Sequence, residues 1–170
     1  STPSVGTQFS LYLPALGSGS KSEDTEPPPV STSRALRVLV LDDDDGVRGV
    51  MRSMLSILGH QAVVVGASSL AFAAFERGVA DGCPFDVVFV DLTMPGELTG
   101  REVIERLRAR DAKTNIIVMS GYSTDPIMAN YEAYGLSARL QKPFTVANLR
   151  ELLGRFTPSE GSRSNGKEGR

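Results

Sequence analysis

Four apolar runs, each closing on a polar or charged group, restrict this chain more than any other feature. Arg37-Val38-Leu39-Val40-Leu41 closes on Asp42-Asp43-Asp44-Asp45, and Phe85-Asp86-Val87-Val88-Phe89-Val90 closes on Asp91. Asn115-Ile116-Ile117-Val118-Met119 closes on Ser120-Gly121, and a short run, Ala138 to Gln141, closes on Lys142-Pro143. A strand with one face in water alternates apolar and polar residues, whereas a strand buried on both faces reads as a continuous run. The three long runs are of the second kind. They call for a parallel sheet covered on both sides.

Parallel neighbours need crossover connections, and helical patterns fill the intervals. Val47, Val50, Met51, Met54, Leu55 and Leu58 stand at i, i+3, i+4, i+7, i+8 and i+11, an amphipathic helix that Gly59 closes. Asp45, just before this pattern, fits an N-cap worth ~1 kcal/mol. Gln61 to Val65 reads as a further strand, and residues 68–77 as a helix rich in Ala and Phe. Val103, Ile104 and Leu107 mark another helix. Pro126 opens a fourth at its first turn, with Ile127, Met128 and Tyr131 as apolar residues. Val146, Leu149, Leu152, Leu153 and Phe156 form the last. The expectation is α/β: a five-stranded parallel sheet in a doubly wound sandwich, with right-handed crossovers placing helices on both faces.

With 170 residues, the chain has room for one ordinary domain and unstructured flanks. The periodic block spans residues 35–156. Before it, Gly17-Ser18-Gly19-Ser20 and the acidic run to Pro27-Pro28-Pro29 predict a flexible linker over 17–34; after it, 157–170 reads as a disordered tail. A net charge of -2 with no basic stripe argues against nucleic acid as a partner. The lone Cys83 excludes an internal disulfide and fits a reducing, cytoplasmic compartment. No apolar stretch approaches the ~20 residues that cross a bilayer, so no membrane contact is expected of this piece. Because the chain begins with Ser1, it is expected to be an excised or processed piece, and any membrane anchor of its parent would lie elsewhere.

In open parallel sheets, ligands sit beyond the carboxyl ends of the strands. Here those ends carry a carboxylate cluster, a single carboxylate, a hydroxyl and an ammonium. A carboxylate that accepts a phosphoryl group repels the incoming oxygens, and a divalent cation bridging the two removes that obstacle. Asp42, Asp43 and Asp91 offer the hard oxygen ligands that Mg²⁺ (or Mn²⁺) prefers. Lys142 supplies a point charge for Asp91 and the phosphoryl oxygens, Ser120 a hydroxyl donor, and Gly121 an unobstructed backbone N–H. Taken singly, each of these has a plain reading as a turn, a cap or a strand exit. Their occurrence at successive strand ends along one edge favours the joint reading.

On these residues, 35–156 resembles the receiver domain of two-component signalling, a flavodoxin-like (βα)5 module phosphorylated by a phosphohistidine donor. Asp42-Asp43 matches the family's acidic pair, Asp91 its phosphoacceptor, Ser120-Gly121 its hydroxyl and small residue, and Lys142-Pro143 its lysine and usually cis proline. The resemblance implies a metal site of the Asp43 and Asp91 side chains and the Thr93 backbone carbonyl, with Asp42 acting mainly through water. It also implies self-catalysed transfer to Asp91, slow autodephosphorylation, and docking of a histidine-kinase dimerisation domain or histidine phosphotransfer protein on the first helix and the loop after Lys142-Pro143.

Three features depart from the family pattern or bear on its rates. The loop Met94-Pro95-Gly96-Glu97-Leu98-Thr99-Gly100 is one residue longer than usual. Arg139 replaces the switching aromatic three before Lys142. Thr93 and Tyr122, two beyond Asp91 and Ser120, flank the path of the hydrolytic water, so both are expected to tune the dephosphorylation rate, with Tyr122 slowing it. Residues 5–14, Val5-Gly6-Thr7-Gln8-Phe9-Ser10-Leu11-Tyr12-Leu13-Pro14, resemble the last glycine box and final strand of a histidine-kinase ATP-binding domain, so 1–16 is read as a remnant of one and the parent as a hybrid kinase. Two rival readings remain, an unphosphorylated interaction module and an aspartyl-phosphate phosphatase. The intact site counts against the first; Thr93, where a phosphatase would carry a second acid, counts against the second. His60 reads as a surface turn residue and Cys83 as a loop thiol.

Overall fold

A computed structural model describes residues 34–94, 98–122 and 125–157. The expected remnant at 1–16, the linker up to 33 and the tail from 158 lie outside these residues. Five strands alternate with helical segments: β1 (Arg37–Leu41), α1 (Asp45–Ile57), β2 (Gln61–Val65), α2 (Ser68–Ala80), β3 (Val87–Asp91), α3 (Gly100–Arg110), β4 (Asn115–Ser120), α4 (Pro126–Ala129), a 3₁₀ turn (Tyr131–Tyr134), β5 (Ala138–Gln141) and α5 (Val146–Gly154). All pairings are parallel, in the order β2-β1-β3-β4-β5. The chain leaves β1 for one edge and returns on its other side for β3. A crevice therefore opens between the carboxyl ends of β1 and β3.

The continuous runs divide residue by residue between two cores, because successive side chains point to opposite faces. Leu39, Leu41, Val88, Val90, Ile116 and Val118 join Phe75, Val103 and Leu107 beneath α2 and α3. Val38, Val40, Val87, Phe89, Ile117 and Met119 join Met51, Leu55 and Leu149 beneath α1 and α5. The edge strands have half-wetted patterns: β2 exposes Gln61 and Val63, and β5 exposes Arg139 and Gln141. Among the described residues, no helix is long and apolar enough to cross a membrane.

Three local expectations need correction. The N-cap of α1 is Asp44, whose carboxylate accepts from the Val47 N–H at 3.0 Å, while Asp45 is already helical and pairs with Arg48. Four consecutive acids leave the cap ambiguous in sequence; the turn that starts the helix decides it. The helix opened by Pro126 lasts one turn. Asn130 leaves helical geometry at φ -126°, ψ 40°, so Tyr131 sits in the 3₁₀ segment that Gly135, at φ 68°, terminates. His60 is half-buried, and its Nδ1 accepts from the Leu36 N–H at 3.2 Å. Burial lowers its pKa below the ordinary 6.5.

Candidate phosphoryl-acceptor site

Asp42 is the first residue past β1 and is wholly buried. Its N–H donates to the Val65 carbonyl at 3.2 Å, extending the β1–β2 ladder by one bond. Its Oδ1 accepts from the Asp44 N–H at 3.0 Å, and its Oδ2 from Lys142 Nζ at 2.6 Å. Asp91, the last residue of β3, is 2% exposed. Its Oδ2 accepts from the same Lys142 Nζ at 2.8 Å; its Oδ1 accepts from the Thr93 N–H at 3.1 Å and the Thr93 hydroxyl at 2.9 Å. One ammonium thus serves two buried carboxylates. Lys142 is brought there by β5, whose ladder continues through its N–H to the Ser120 carbonyl at 2.9 Å. The Lys142-Pro143 peptide is cis, as the family pattern implies.

The charges do not balance. Asp42, Asp43 and Asp91 each offer a carboxylate oxygen within 4.8 Å of the others, against the single Lys142 cation. Burial pushes the Asp42 pKa above the ordinary carboxylate value, despite its bonds to Lys142 and the Asp44 N–H. For Lys142, burial is the largest influence and opposes its charge. Its hydrogen bonds and charge interactions with Asp42 and Asp91 together outweigh burial and raise its pKa above 10.5. A compact set of three hard oxygen donors with surplus negative charge fits a hard divalent cation.

Of the other expected residues, Ser120 ends β4 next to Asp91 and is fully buried. Its Oγ faces its own loop, accepting from the Tyr122 N–H at 3.0 Å. Gly121 is open, with nothing within 4 Å of a Cβ built there, and the Tyr122 side chain lies at the surface, 69% exposed. Arg139, in place of the switching aromatic, donates to the Met128 carbonyl and lies 5.8 Å from the Tyr131 ring centroid. It ties β5 to the single turn of α4.

Two positioning features went unread in the sequence. A Cβ on Gly100, the first residue of α3, would stand 2.4 Å from the Asp91 carbonyl oxygen, so only glycine lets this helix start against the backbone of Asp91. The longer loop before it therefore still delivers Gly100 to the site; its residues 95–97 lie outside those described. Arg48, on α1, lays its guanidinium over Gly66 and donates to the Asp42 carbonyl at 2.7 Å. The signal available for both was a glycine standing where a turn did not require one.

Residues 38–154 match the family model described as the response regulator receiver domain. The sensor histidine kinase AtsR of Burkholderia thailandensis is 30% identical over 159 residues, covering 89% of this chain and 25% of that protein. The transcriptional regulatory protein FixJ of Azorhizobium caulinodans is 34% identical over 127 residues, covering 71% of this chain and 56% of that one. The chain thus spans about a quarter and about half of these relatives. Among solved structures, the Vibrio cholerae chemotaxis protein CheY4 superposes with a TM-score of 0.62 at 25% identity, over 72% of this chain and 99% of its own. The receiver domain of sensor histidine kinase PA1611 from Pseudomonas aeruginosa, with a magnesium ion coordinated in its active site cleft, gives 0.62 at 24%, over 72% and 98%.

Proposed function

Since the chain belongs to the response regulator receiver domain family of two-component signalling, we propose that Asp91 is its phosphoacceptor and that Asp42, Asp43, Asp91 and the Thr93 backbone carbonyl hold Mg²⁺ (or Mn²⁺). Receiver domains take phosphate from histidine kinases or phosphotransfer proteins and bind Mg²⁺ at an acidic pocket. The observation that carries the reading is the pair of buried carboxylates sharing one lysine beside a third, exposed carboxylate. Bound there, the cation would neutralise phosphoryl oxygens that the carboxylates otherwise repel.

The residues divide the remaining work. An Asp91 carboxylate oxygen forms the new O–P bond as the donor P–N bond breaks, and the electron pair of that bond stays with the imidazole. Lys142 already contacts Asp91 and is placed to follow the charge onto the phosphoryl group. Ser120 donates to a phosphoryl oxygen by turning its hydroxyl from the Tyr122 carbonyl, 3.4 Å away, and the N–H groups of Thr93 and Gly121 serve the others. Phosphorylation then shifts a two-state equilibrium, with Ser120 as the group that changes partner.

The docking surface for the donor is the exposed stripe of α1, where Val50 and Ile57, one heptad apart, are 46% and 71% exposed beside half-buried Met54. The parent is a hybrid histidine kinase. Even with every residue after 154 included, a match covering 89% of the chain must begin by about residue 20, ahead of the receiver block and within the expected linker or before it.

Intact mass after incubation with acetyl phosphate and Mg²⁺ tests the reading, beside Asp91→Asn and with a phosphohistidine donor as second reagent. A metal-dependent gain of one phosphoryl group that disappears in Asp91→Asn is expected. No gain from either donor would leave an interaction module that is never phosphorylated.

A further inference from the structure

Asp43 is the metal ligand with the least visible support. Its side chain is exposed, and among the described residues no hydrogen bond fixes its carboxylate. Its direction is therefore set through its backbone. A peptide unit is planar, so holding the Asp42 carbonyl also holds the N–H of Asp43 at the other end of the same plane. Arg48 holds that carbonyl at 2.7 Å. Its side chain is only 18% exposed, and its second nitrogen pairs with Asp45, so the fork is occupied at both prongs.

Gly66 completes the clamp. It follows β2, and a Cβ there would stand 2.7 Å from Arg48 Nη1 and 2.9 Å from Cζ. The bare glycine lets the guanidinium lie against the β2–α2 connection while reaching the Asp42 carbonyl. Asp42 is then fixed from two sides of its backbone, by Val65 and by Arg48.

On the reading of the acidic cluster as the metal site, we infer that Arg48, seated on Gly66, is a positioning residue that aims the Asp43 carboxylate at the divalent cation. The inference has a sign that separates it from simple electrostatics. Removing a nearby positive charge should by itself tighten cation binding. Removing a positioning residue should loosen it.

The experiment is a calorimetric Mg²⁺ titration of the metal-stripped chain and three variants, Arg48→Ala, Arg48→Lys and Gly66→Ala, each checked for folding by urea unfolding without metal. Lys keeps the charge and loses the fork, and Gly66→Ala leaves Arg48 in the sequence but displaces its flexible tip. All three are expected to bind Mg²⁺ more weakly, Arg48→Ala by ~10-fold, as for other groups that orient metal ligands. Phosphorylation by acetyl phosphate should need correspondingly more Mg²⁺ in the variants and recover at saturating metal. Native binding with unchanged or tighter binding in folded Arg48→Ala or Arg48→Lys overturns the inference alone. Absence of Mg²⁺ binding in the native chain overturns the metal site and the inference with it.

Discussion

The two rims of the sheet use polar residues in opposite ways. At the amino ends of the strands, four polar side chains are matched to neighbouring groups. Asp86 accepts from the Arg37 N–H at 2.7 Å, Asn115 donates to the Asp86 carbonyl at 3.0 Å, Ser137 bonds Asn115 at 3.3 Å, and His60 accepts from the Leu36 N–H. At the carboxyl ends, Asp42 and Asp91 compete for one Lys142, and Asp43 points outward beside them. The first rim closes the backbone and gathers no cluster of carboxylates, although Arg37 Nη1 is buried there without a hydrogen-bond partner. The second holds three carboxylates against one ammonium, and that imbalance distinguishes a candidate site from a set of caps.

Substitutions should separate the rims. The largest effect is expected from Lys142→Met, which leaves Asp42 and Asp91 facing each other without their cation. Stability at pH 7 in the presence of a chelator should fall by about 3 kcal/mol, as when one partner of a buried ion pair is removed. Added Mg²⁺ should stabilise this variant more than the native chain. The raised pKa of Lys142 gives a matching pH effect: its contribution is fully present below 10.5 and is lost as pH rises through the higher folded value. Urea unfolding at several pH values measures both. A variant as stable as the native chain would mean that the two carboxylates are not opposed, and the contrast between the rims would collapse.

At the other rim, Asp86→Ala removes the charged acceptor of the Arg37 N–H, and a loss of about 2 kcal/mol is expected for such a bond. Mg²⁺ affinity and the rate of phosphorylation should stay at native values, because nothing in this network reaches the acidic cluster. A change in metal affinity would show that the rims communicate through β1 or β3.

Tyr122→Ala sharpens the comparison from within the reactive rim. The side chain is largely in solvent and its backbone is what binds Ser120, so stability should hardly move. The phosphorylated state should decay several-fold faster, by open access of water to the acyl phosphate. Following loss of the phosphoryl mass over time decides it; an unchanged lifetime removes Tyr122 from rate control.

Most of this architecture was legible because parallel strands buried on both faces cannot hide their pattern: Val87 to Val90 and Ile116 to Met119 could be little else. Most of the candidate site was legible for the same reason, since Asp42, Asp91 and Ser120 close such runs, whereas Lys142 closes the short, half-exposed β5. What failed was whatever depends on a contact across the chain. Asp44 rather than Asp45 caps α1 because of where the turn begins, and the spacing of Ile127, Met128 and Tyr131 suits a helix that Asn130 nevertheless breaks. Arg48 over Gly66 and Gly100 against Asp91 join residues 18 and 9 positions apart, and no local period encodes either.

His60 gives the smallest and most selective prediction, since its chemistry belongs wholly to the structural rim. Its neutral Nδ1 accepts from the Leu36 N–H, and burial lowers its pKa below 6.5. An unfolded chain therefore binds a proton near pH 6.5 before the folded chain does. The resulting loss of stability begins as pH falls through 6.5 and is complete below the folded value. Protonation also turns the acceptor into a donor facing another donor. His60→Ala should lower stability at neutral pH and flatten the slope of stability against pH just below 6.5, leaving Mg²⁺ affinity as it was. Urea midpoints measured in small pH steps test this. An unflattened slope would remove His60 as the source of the acid sensitivity, and Asp42 could not replace it, because its raised pKa acts in the opposite direction: its ionisation costs stability as pH rises above 3.8. Because the two slopes have opposite signs, a single pH series tells which rim is titrating.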